Sequence, residues 1–364
     1  MLAERIIPEA VVSRIRADAF RMEAAGASTP ALLEWIYEER LFKLFVPDEL
    51  EGRMTPLPEA ARIFERAAWA DGSLGWLLAI GAGGGFFSAT LPEAEAQRLF
   101  TDRRALIAGS GHPSGRAKRV PGGYVASGRW KYCSGSTFAT FFTANCIIAR
   151  DGAEDGEPEI RSFAFMPAQV AIERDWKAFG LQATESHTIV VRDVFVPDAL
   201  TFDIRTEPRY DDPVYRYPFL PFAQVSFAPV VIGLGRRFLE EARELVLPRQ
   251  AEWTASNPAR FERALAAIAS AAERLEAASA VFYETVDSTW AAYVGEGALA
   301  EEASMQVSLA SCEAARTAVE AAHAAFPHLG MSVLMEDRPA NKAWRDLHTA
   351  AQHSVLGETA QQAG

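Results

Sequence analysis

Only three cysteines, Cys133, Cys146 and Cys312, occur in the 364 residues, and no two of them form a C-x-x-C pair. A disulfide framework or a structural zinc site therefore lacks its material. The six histidines include no H-E-x-x-H. Their close pairs, His323 with His328 and His348 with His353, are spaced five apart, about 140° around a helix, so the members of each pair face different ways. Pro327 also interrupts the first pair. No metal site is expected. Positive charge is short as well: Lys and Arg number 36 against 48 Asp and Glu, a net charge of -12. An acidic surface repels phosphate backbones and anionic lipid, so no nucleic acid and no membrane are expected as partners. No G-x-x-x-x-G-K-[ST] loop is present. The glycines between Gly81 and Gly85 sit in helical sequence rather than after a strand, which excludes a Rossmann turn. Long apolar runs are missing too. The window Trp76 to Thr90 is short for a membrane span and rich in glycine, and charges interrupt the N-terminal stretch where a signal peptide would be apolar. The expectation is a cytoplasmic protein in a reducing environment.

What is there is globular: 49% hydrophobic and 23% charged residues, enough for two or three units with substantial cores. From Pro8 to Phe100 the pattern is helical, with Ala60, Ile63, Phe64 and Ala67 at helical spacing. Asp71-Gly72-Ser73 breaks that helix and offers Ser73 as the cap of the next one. The character changes near Ala105. Strand-like runs follow at Gly123 to Tyr132, Phe138 to Ala149, Arg161 to Met166, Val170 to Trp176 and His187 to Val196, with an exposed acidic loop at Asp151 to Pro158. This spacing predicts a small sandwich or barrel. Beyond the proline-rich Pro208 to Pro221 the chain is helical again. Leu265, Ile268, Ala272, Leu275, Ser279, Phe282 and Val286 form a packing seam, and Met305, Leu309, Cys312, Arg316, Val319 and Phe326 continue it less cleanly. The fold class is α+β, mostly α. Its expected units are an N-terminal helical domain (1–104), a middle β-barrel or sandwich (105–207) and a C-terminal four-helix bundle (208–364).

Two stretches could carry chemistry. In Gly122-Gly123-Tyr124 and Gly128-Arg129-Trp130-Lys131-Tyr132-Cys133-Ser134-Gly135-Ser136, a strand with large aromatics stops at small hydroxyl and glycine residues. That suits a surface lying against a planar ring; an ordinary hairpin strand ending in a Ser-Gly turn has the same sequence. Cys133 alternates to the opposite face and reads as core. In Trp344 to His353, Asp346, Ala350 and His353 share one helical stripe, and Arg345, His348 and Gln352 share another. This terminal helix is either a solvated surface or one wall of a polar cleft.

These two stretches, joined by Trp176-Lys177-Ala178-Phe179-Gly180-Leu181-Gln182-Ala183-Thr184-Glu185-Ser186 running into Val194-Phe195-Val196-Pro197, resemble the acyl-CoA dehydrogenase superfamily, whose fold has the same three parts. The Trp-x-x-x-Ser-Gly strand and the Arg345-Asp346 followed by His353 are similar to its two-component flavin-dependent monooxygenases. The resemblance implies a flavin, FAD or FMN, delivered reduced by a separate reductase. It reacts with O2 to a C4a-hydroperoxide that oxygenates a small aromatic or heteroaromatic substrate. Ser134 and His353 are then the implied catalytic residues. Trp130, Tyr132, Ser134, Gly135, Trp176 and Thr184 are the implied cofactor contacts, and a homotetramer is the implied assembly. His112 falls in the family's loop over the flavin, although Gly111-His112-Pro113-Ser114-Gly115 also reads as a plain turn. Two alternatives stand beside this. An acyl-CoA dehydrogenase needs a carboxylate base; Ser354 occupies the register of its usual Glu, which leaves Glu244 or Glu252. A non-catalytic flavin-binding homologue would keep only the fold.

Overall fold

The computed structural model describes residues 2–149 and 158–357, so the acidic loop expected at Asp151 to Pro158 lies almost wholly outside the described residues. Six helices come first: α1 (Leu2–Ile6), α2 (Glu9–Ala25), α3 (Pro30–Glu38), α4 (Leu57–Ala70), α5 (Gly72–Gly83) and α6 (Glu93–Phe100). The expected stripe of α4, Ala60, Ile63, Phe64 and Ala67, is fully buried. The helix break is where the sequence puts it, but the cap is Asp71 rather than Ser73. The Asp71 carboxylate accepts the Leu74 amide at 3.1 Å, and a carboxylate is the better acceptor for exposed helical N–H groups. Two segments, Gly72–Ala89 and Phe219–Ser256, are apolar and long enough to cross a membrane. In each, 83% of the most apolar window is buried inside the protein, so both are core segments.

The middle strands are β1 (Ile107–Val120), β2 (Gly123–Cys133), β3 (Phe141–Ile148), β4 (Ile160–Phe165), β5 (Ala171–Glu173), β6 (His187–Pro197) and β7 (Thr201–Phe202). They form one mixed sheet in the order β5-β6-β2-β1-β3-β4-β7, with β1 and β3 parallel. In a flat sheet β2 and β4 would lie about 14 Å apart. Yet Tyr124 meets Phe163 with ring centroids 5.3 Å apart, and Trp130 meets Phe165 at 5.9 Å. The sheet therefore coils on itself and encloses a sandwich-like core from a single ladder. β1 was not legible. Its sequence IAGSGHPSGRAKRV has glycine, proline and charge where strands usually carry β-branched residues. His112 is accordingly exposed within β1, where the register with β3 shifts, and not in a separate turn.

Four long C-terminal helices follow: α7 (Phe219–Val246), α9 (Pro258–Glu296), α10 (Glu301–Ala325) and α11 (Pro339–Ala350), with the short α8 (Gln250–Ser256) between the first two. The α9 seam is as read: Ile268, Leu275, Ser279, Phe282 and Val286 are buried. The α10 seam holds in part, with Cys312 buried and Val319 and Phe326 packed against the core. Met305 and Leu309 are 56% and 51% exposed; the buried stripe is Val307, Ser311, Ala314, Ala318, Ala321 and Ala325. Small side chains at alternating fours and threes let α10 approach its neighbours closely, and this won over the larger residues one step round the helix. α7 packs against α4 on one side and α9, α10 and α11 on others. The helices at the two ends of the chain thus share one core, while the sheet has its own.

One buried junction ties the parts together. The Lys342 ammonium donates to Asp71 at 2.8 Å and to Asp346 at 2.6 Å, and the other Asp346 oxygen accepts the Leu181 amide at 2.6 Å. The start of α5, the middle of α11 and the loop between β5 and β6 meet there. Arg345 extends it by donating to the Phe179 carbonyl at 3.1 Å and pairing with Glu23. Gly180 is needed at this crossing, because a Cβ there would stand 2.2 Å from the Arg345 carbonyl oxygen. Gly180→Ala should push the loop off α11 and cost about 1–3 kcal/mol, by analogy with overpacked cores. Urea unfolding checks this, and unchanged stability would show that the loop can shift freely.

Candidate functional site

The sequence places hydroxyl residues at the end of β2 and in the Leu181 loop, and the junction just described holds that loop against β2. Four side chains meet there, none more than 8% exposed: Ser134, Trp76, Thr184 and Ser186. The Trp76 indole N–H donates to Ser134 Oγ at 3.0 Å. Ser134 Oγ lies 2.7 Å from Ser186 Oγ, which lies 2.6 Å from Thr184 Oγ1, and Thr184 donates to the Leu181 carbonyl at 2.8 Å. The Gly135 amide donates to the Thr184 carbonyl at 2.8 Å, pinning the turn with Gly135 at φ +74°.

His353 comes to the same place by a different route. α11 ends at Ala350, so His353 is not on the helical stripe the sequence suggested; it lies in the segment beyond, turned inward. Its ring stacks on Phe227 at 4.4 Å between centroids and meets Trp76 at 5.5 Å. The Trp76 indole therefore touches both residues singled out as catalytic. Burial among these rings disfavours the charged imidazole and pulls its pKa down to about 4. His353 is neutral at physiological pH, and its Nδ1 accepts the Val355 amide at a long 3.4 Å.

Of the expected cofactor contacts, Ser134, Gly135 and Thr184 are brought together, with Thr184 fully buried one layer behind Ser134. Tyr132 and the half-buried Trp176 form a wall beside them. Tyr132 is 69% exposed, and its ring meets the edge of Trp176 at 6.1 Å. Trp176 is fixed by its indole N–H to the Leu181 carbonyl at 2.9 Å and by its amide to His187 Nδ1 at 3.1 Å. Trp130 does not belong to this wall. It is 1% exposed, donates to the Asn145 carbonyl at 3.0 Å, and fills space left by Gly115 and Gly128, where a Cβ would lie 2.2 and 2.3 Å from its ring. Strict alternation would put Trp130 and Tyr132 on one face. Instead Tyr132 takes φ +66° at an irregularity in the β2–β6 pairing, so Lys131 and Tyr132 both face out and Trp130 and Cys133 both face in. The Cys133 reading as core holds, and burial pushes its thiol up to about 12.

Sequence reasoning missed Trp76, Ser186 and Phe227. Trp76 and Phe227 lie on helices that read as plain core, and only tertiary packing aims them at β2. Glu185 was missed too. It is buried in a left-handed conformation with its carboxyl bonded to Thr137, and burial raises its pKa. One further contact had no sign in the sequence: His323 and His348 meet across α10 and α11 with Nε2 atoms 2.7 Å apart. Glu244 and Glu252, the bases a dehydrogenase would need, are both exposed, and Glu252 pairs with Arg249 at 2.9 Å rather than with anything at this cluster. A cavity of about 440 Å³ between α4, α7 and α9 shares no lining residue with the cluster.

The wall fits a planar aromatic cofactor: Tyr132 is an uncovered ring held in a strained backbone conformation, next to Trp176 and a row of buried hydroxyls. Comparison with known proteins agrees. The acyl-CoA dehydrogenase C-terminal domain family matches residues 225–358. Indole-3-acetate monooxygenase of Pseudomonas putida is 31% identical over 328 residues, covering 89% of this chain and 83% of that protein. The crystal structure of 3-HSA hydroxylase from Rhodococcus sp. RHA1 superposes with a TM-score of 0.90 at 22% identity, covering 99% of this chain and 95% of that one. XiaF from Streptomyces sp., solved with FADH2 and glycerol, superposes at 0.83 with 21% identity, covering 100% and 94%. The sequence relative carries the assignment and the structures carry the fold: this chain belongs to the acyl-CoA dehydrogenase superfamily and, within it, to the flavin-dependent two-component monooxygenases, which are oxidoreductases that use reduced flavin.

Proposed function

We propose that this chain is an oxygenase component that inserts one oxygen atom of O2 into a small aromatic or heteroaromatic substrate, using FAD or FMN reduced by a separate reductase. The observation that carries this is the contact of one indole, Trp76, with both the Ser134 hydroxyl and the neutral His353 ring. Tyr132 and Trp176 would hold the flavin ring, with Ser134 and Gly135 at its edge and Thr184 behind them. Bound reduced flavin supplies the activated oxygen by reaction with O2. The chain's own residues do the rest. Phe227, Trp76 and the Phe42–Phe138 pair, with ring centroids 6.3 Å apart, keep the neighbourhood apolar and exclude water. His353, uncharged above about pH 4, takes up and returns the proton that moves when an aromatic ring is oxygenated.

Relatives that act on indole-3-acetate support a bicyclic heteroaromatic as the first substrate to try. We also propose a cytoplasmic homotetramer assembled through the bundle. Val281 and Val294 on α9 and Met305 and Leu309 on α10 are each at least half exposed, a surface fit for a second copy. The test of function is isotopic. The protein, reduced FMN or FAD and indole-3-acetate are mixed anaerobically, then exposed to 18O2. One labelled oxygen in the product, found by mass spectrometry, is the expected result. Oxygen consumption without labelled product across a panel of indoles and phenols, together with bleaching of bound FAD by an acyl-CoA, would sink the proposal.

A further inference from the structure

His353 lies past the last helix. Because α11 ends at Ala350, the residues after it are held by one short 3-10 turn, Ser354–Leu356, and by what they touch. Beyond α11 itself, and among the described residues, the hydrogen bonds of this segment to the rest of the chain come from two side chains. The Gln224 amide nitrogen donates to the Val355 carbonyl at 3.0 Å, and the Cys312 thiol donates to the same oxygen at a long 3.9 Å. Gln224 stands three residues before Phe227 on α7, so the two share one side of that helix. Phe227 takes the face of the His353 ring at 4.4 Å, and Gln224 takes the backbone two residues further on. One side of α7 grips the segment at two points.

As a stabilising group the Gln224 amide is badly matched. It is 1% exposed, and a carbonyl can only accept, so the Val355 oxygen fixes which end of the amide is nitrogen. The other end, Oε1, is buried and has no partner among the described residues. A buried acceptor left unmatched costs stability, and an apolar side chain of the same shape would avoid that cost. What an apolar side chain would not supply is the bond to Val355. We propose that Gln224 is a positioning residue for His353: by holding the Val355 carbonyl it keeps the imidazole seated against Phe227 and Trp76. The effect on product rests on the proposed proton-transfer role of His353; the seating itself is measured without flavin or substrate. Burial is the whole cause of the low His353 pKa, with no charged group contributing, so the reactivity of this ring reports directly on whether it is seated.

The test is a footprint. Diethyl pyrocarbonate modifies neutral, accessible imidazoles, and peptide mass spectrometry reads each histidine separately, with the exposed His112 and His323 as internal standards. Gln224→Met keeps the volume, loses the donor and removes the unmatched acceptor. It should raise the rate of modification at His353 by about two- to tenfold, the equivalent of one hydrogen bond, and leave the standards unchanged. Stability in urea should be unchanged or higher, and Gln224→Leu should behave alike. In turnovers with reduced flavin, O2 and indole-3-acetate, product per O2 consumed should fall by the same factor. Added to His353→Ala, Gln224→Met should lower it no further, because both changes act through one ring. An unchanged footprint at His353 in the folded variants overturns the inference. Failure of both variants to fold overturns it as well, since Gln224 would then be a structural residue. A raised footprint together with full product yield in His353→Ala would leave the positioning intact and remove the proton-transfer role instead.

Discussion

Lys342→Met should lower stability by about 3–5 kcal/mol near neutral pH, the usual consequence of removing one partner from a buried ion pair. The Asp71, Asp346 and Lys342 side chains are only 2%, 2% and 10% exposed, and Lys342 is the ammonium that both carboxylates share. Without it, two buried carboxyls face each other with no counter-charge, and methionine fills the volume without supplying a donor. The loss has a pH signature. In the variant the Asp346 carboxyl, which burial already pushes up and which has lost the Lys342 charge that opposed this, holds a proton to higher pH than in the unfolded chain, where Asp titrates near 3.9. Folding then takes up protons, so the variant regains stability as pH falls. Urea unfolding at about pH 8 and about pH 5.5 should show the gap to wild type narrowing at the lower value. A gap that is small, or equal at both, would mean that the charges at this junction do not hold the loop. Because Asp346 also carries the Leu181 amide, flavin binding should weaken in the same variant.

His353→Ala should lower product yield by roughly a hundredfold or more, the range expected for a positioned proton-transfer group, while O2 is still consumed and peroxide released. His353→Phe keeps a ring on Phe227 and separates loss of packing from loss of the imidazole. The pH dependence is specific. With its folded pKa near 4, His353 stays neutral through the physiological range, so the yield should not show a His353-dependent step near 6.5, the value of a free imidazole. Stability carries the complementary mark. A depressed pKa gives stability that is present above about 6.5 and lost as pH falls toward 4, because the unfolded chain binds the proton first. The loss across that window is of order 3 kcal/mol. His353→Phe should flatten it. A step in yield near 6.5 that vanishes in the Phe variant would overturn the buried-imidazole account.

The parts of this molecule written in local pattern were legible. The α4 and α9 stripes, the breaks at Asp71 and near Ala105, and five of the seven strands follow from helical or alternating periodicity. Ser134 and His353 were singled out by resemblance, and the structure brings both against one indole, Ser134 at its N–H and His353 beside its ring. What was not legible depends on contacts distant in sequence. Trp76 is one more apolar residue in a helix buried on all sides. Trp130 looks like a partner of Tyr132 until a single left-handed residue reverses the alternation between them. β1 carries too little strand-forming sequence to announce itself, and its neighbours β2 and β3 hold it in place.

The core shared by the helices at the two ends of the chain also bears on how the molecule is made. α4 has its main partner in α7, which also packs on α5 and begins at Phe219, well after α5 ends at Gly83. At translation speeds of about 5–20 residues per second, that partner follows by roughly 7–30 s. During the interval the sheet can pair its own strands, since its neighbours are close in sequence, while the faces of α4 and α5 that α7 covers stay open to water. Newly synthesised chains should therefore pass through a state with a formed sheet and a sticky N-terminal third, and chaperones that recognise apolar helices would meet the protein at that moment.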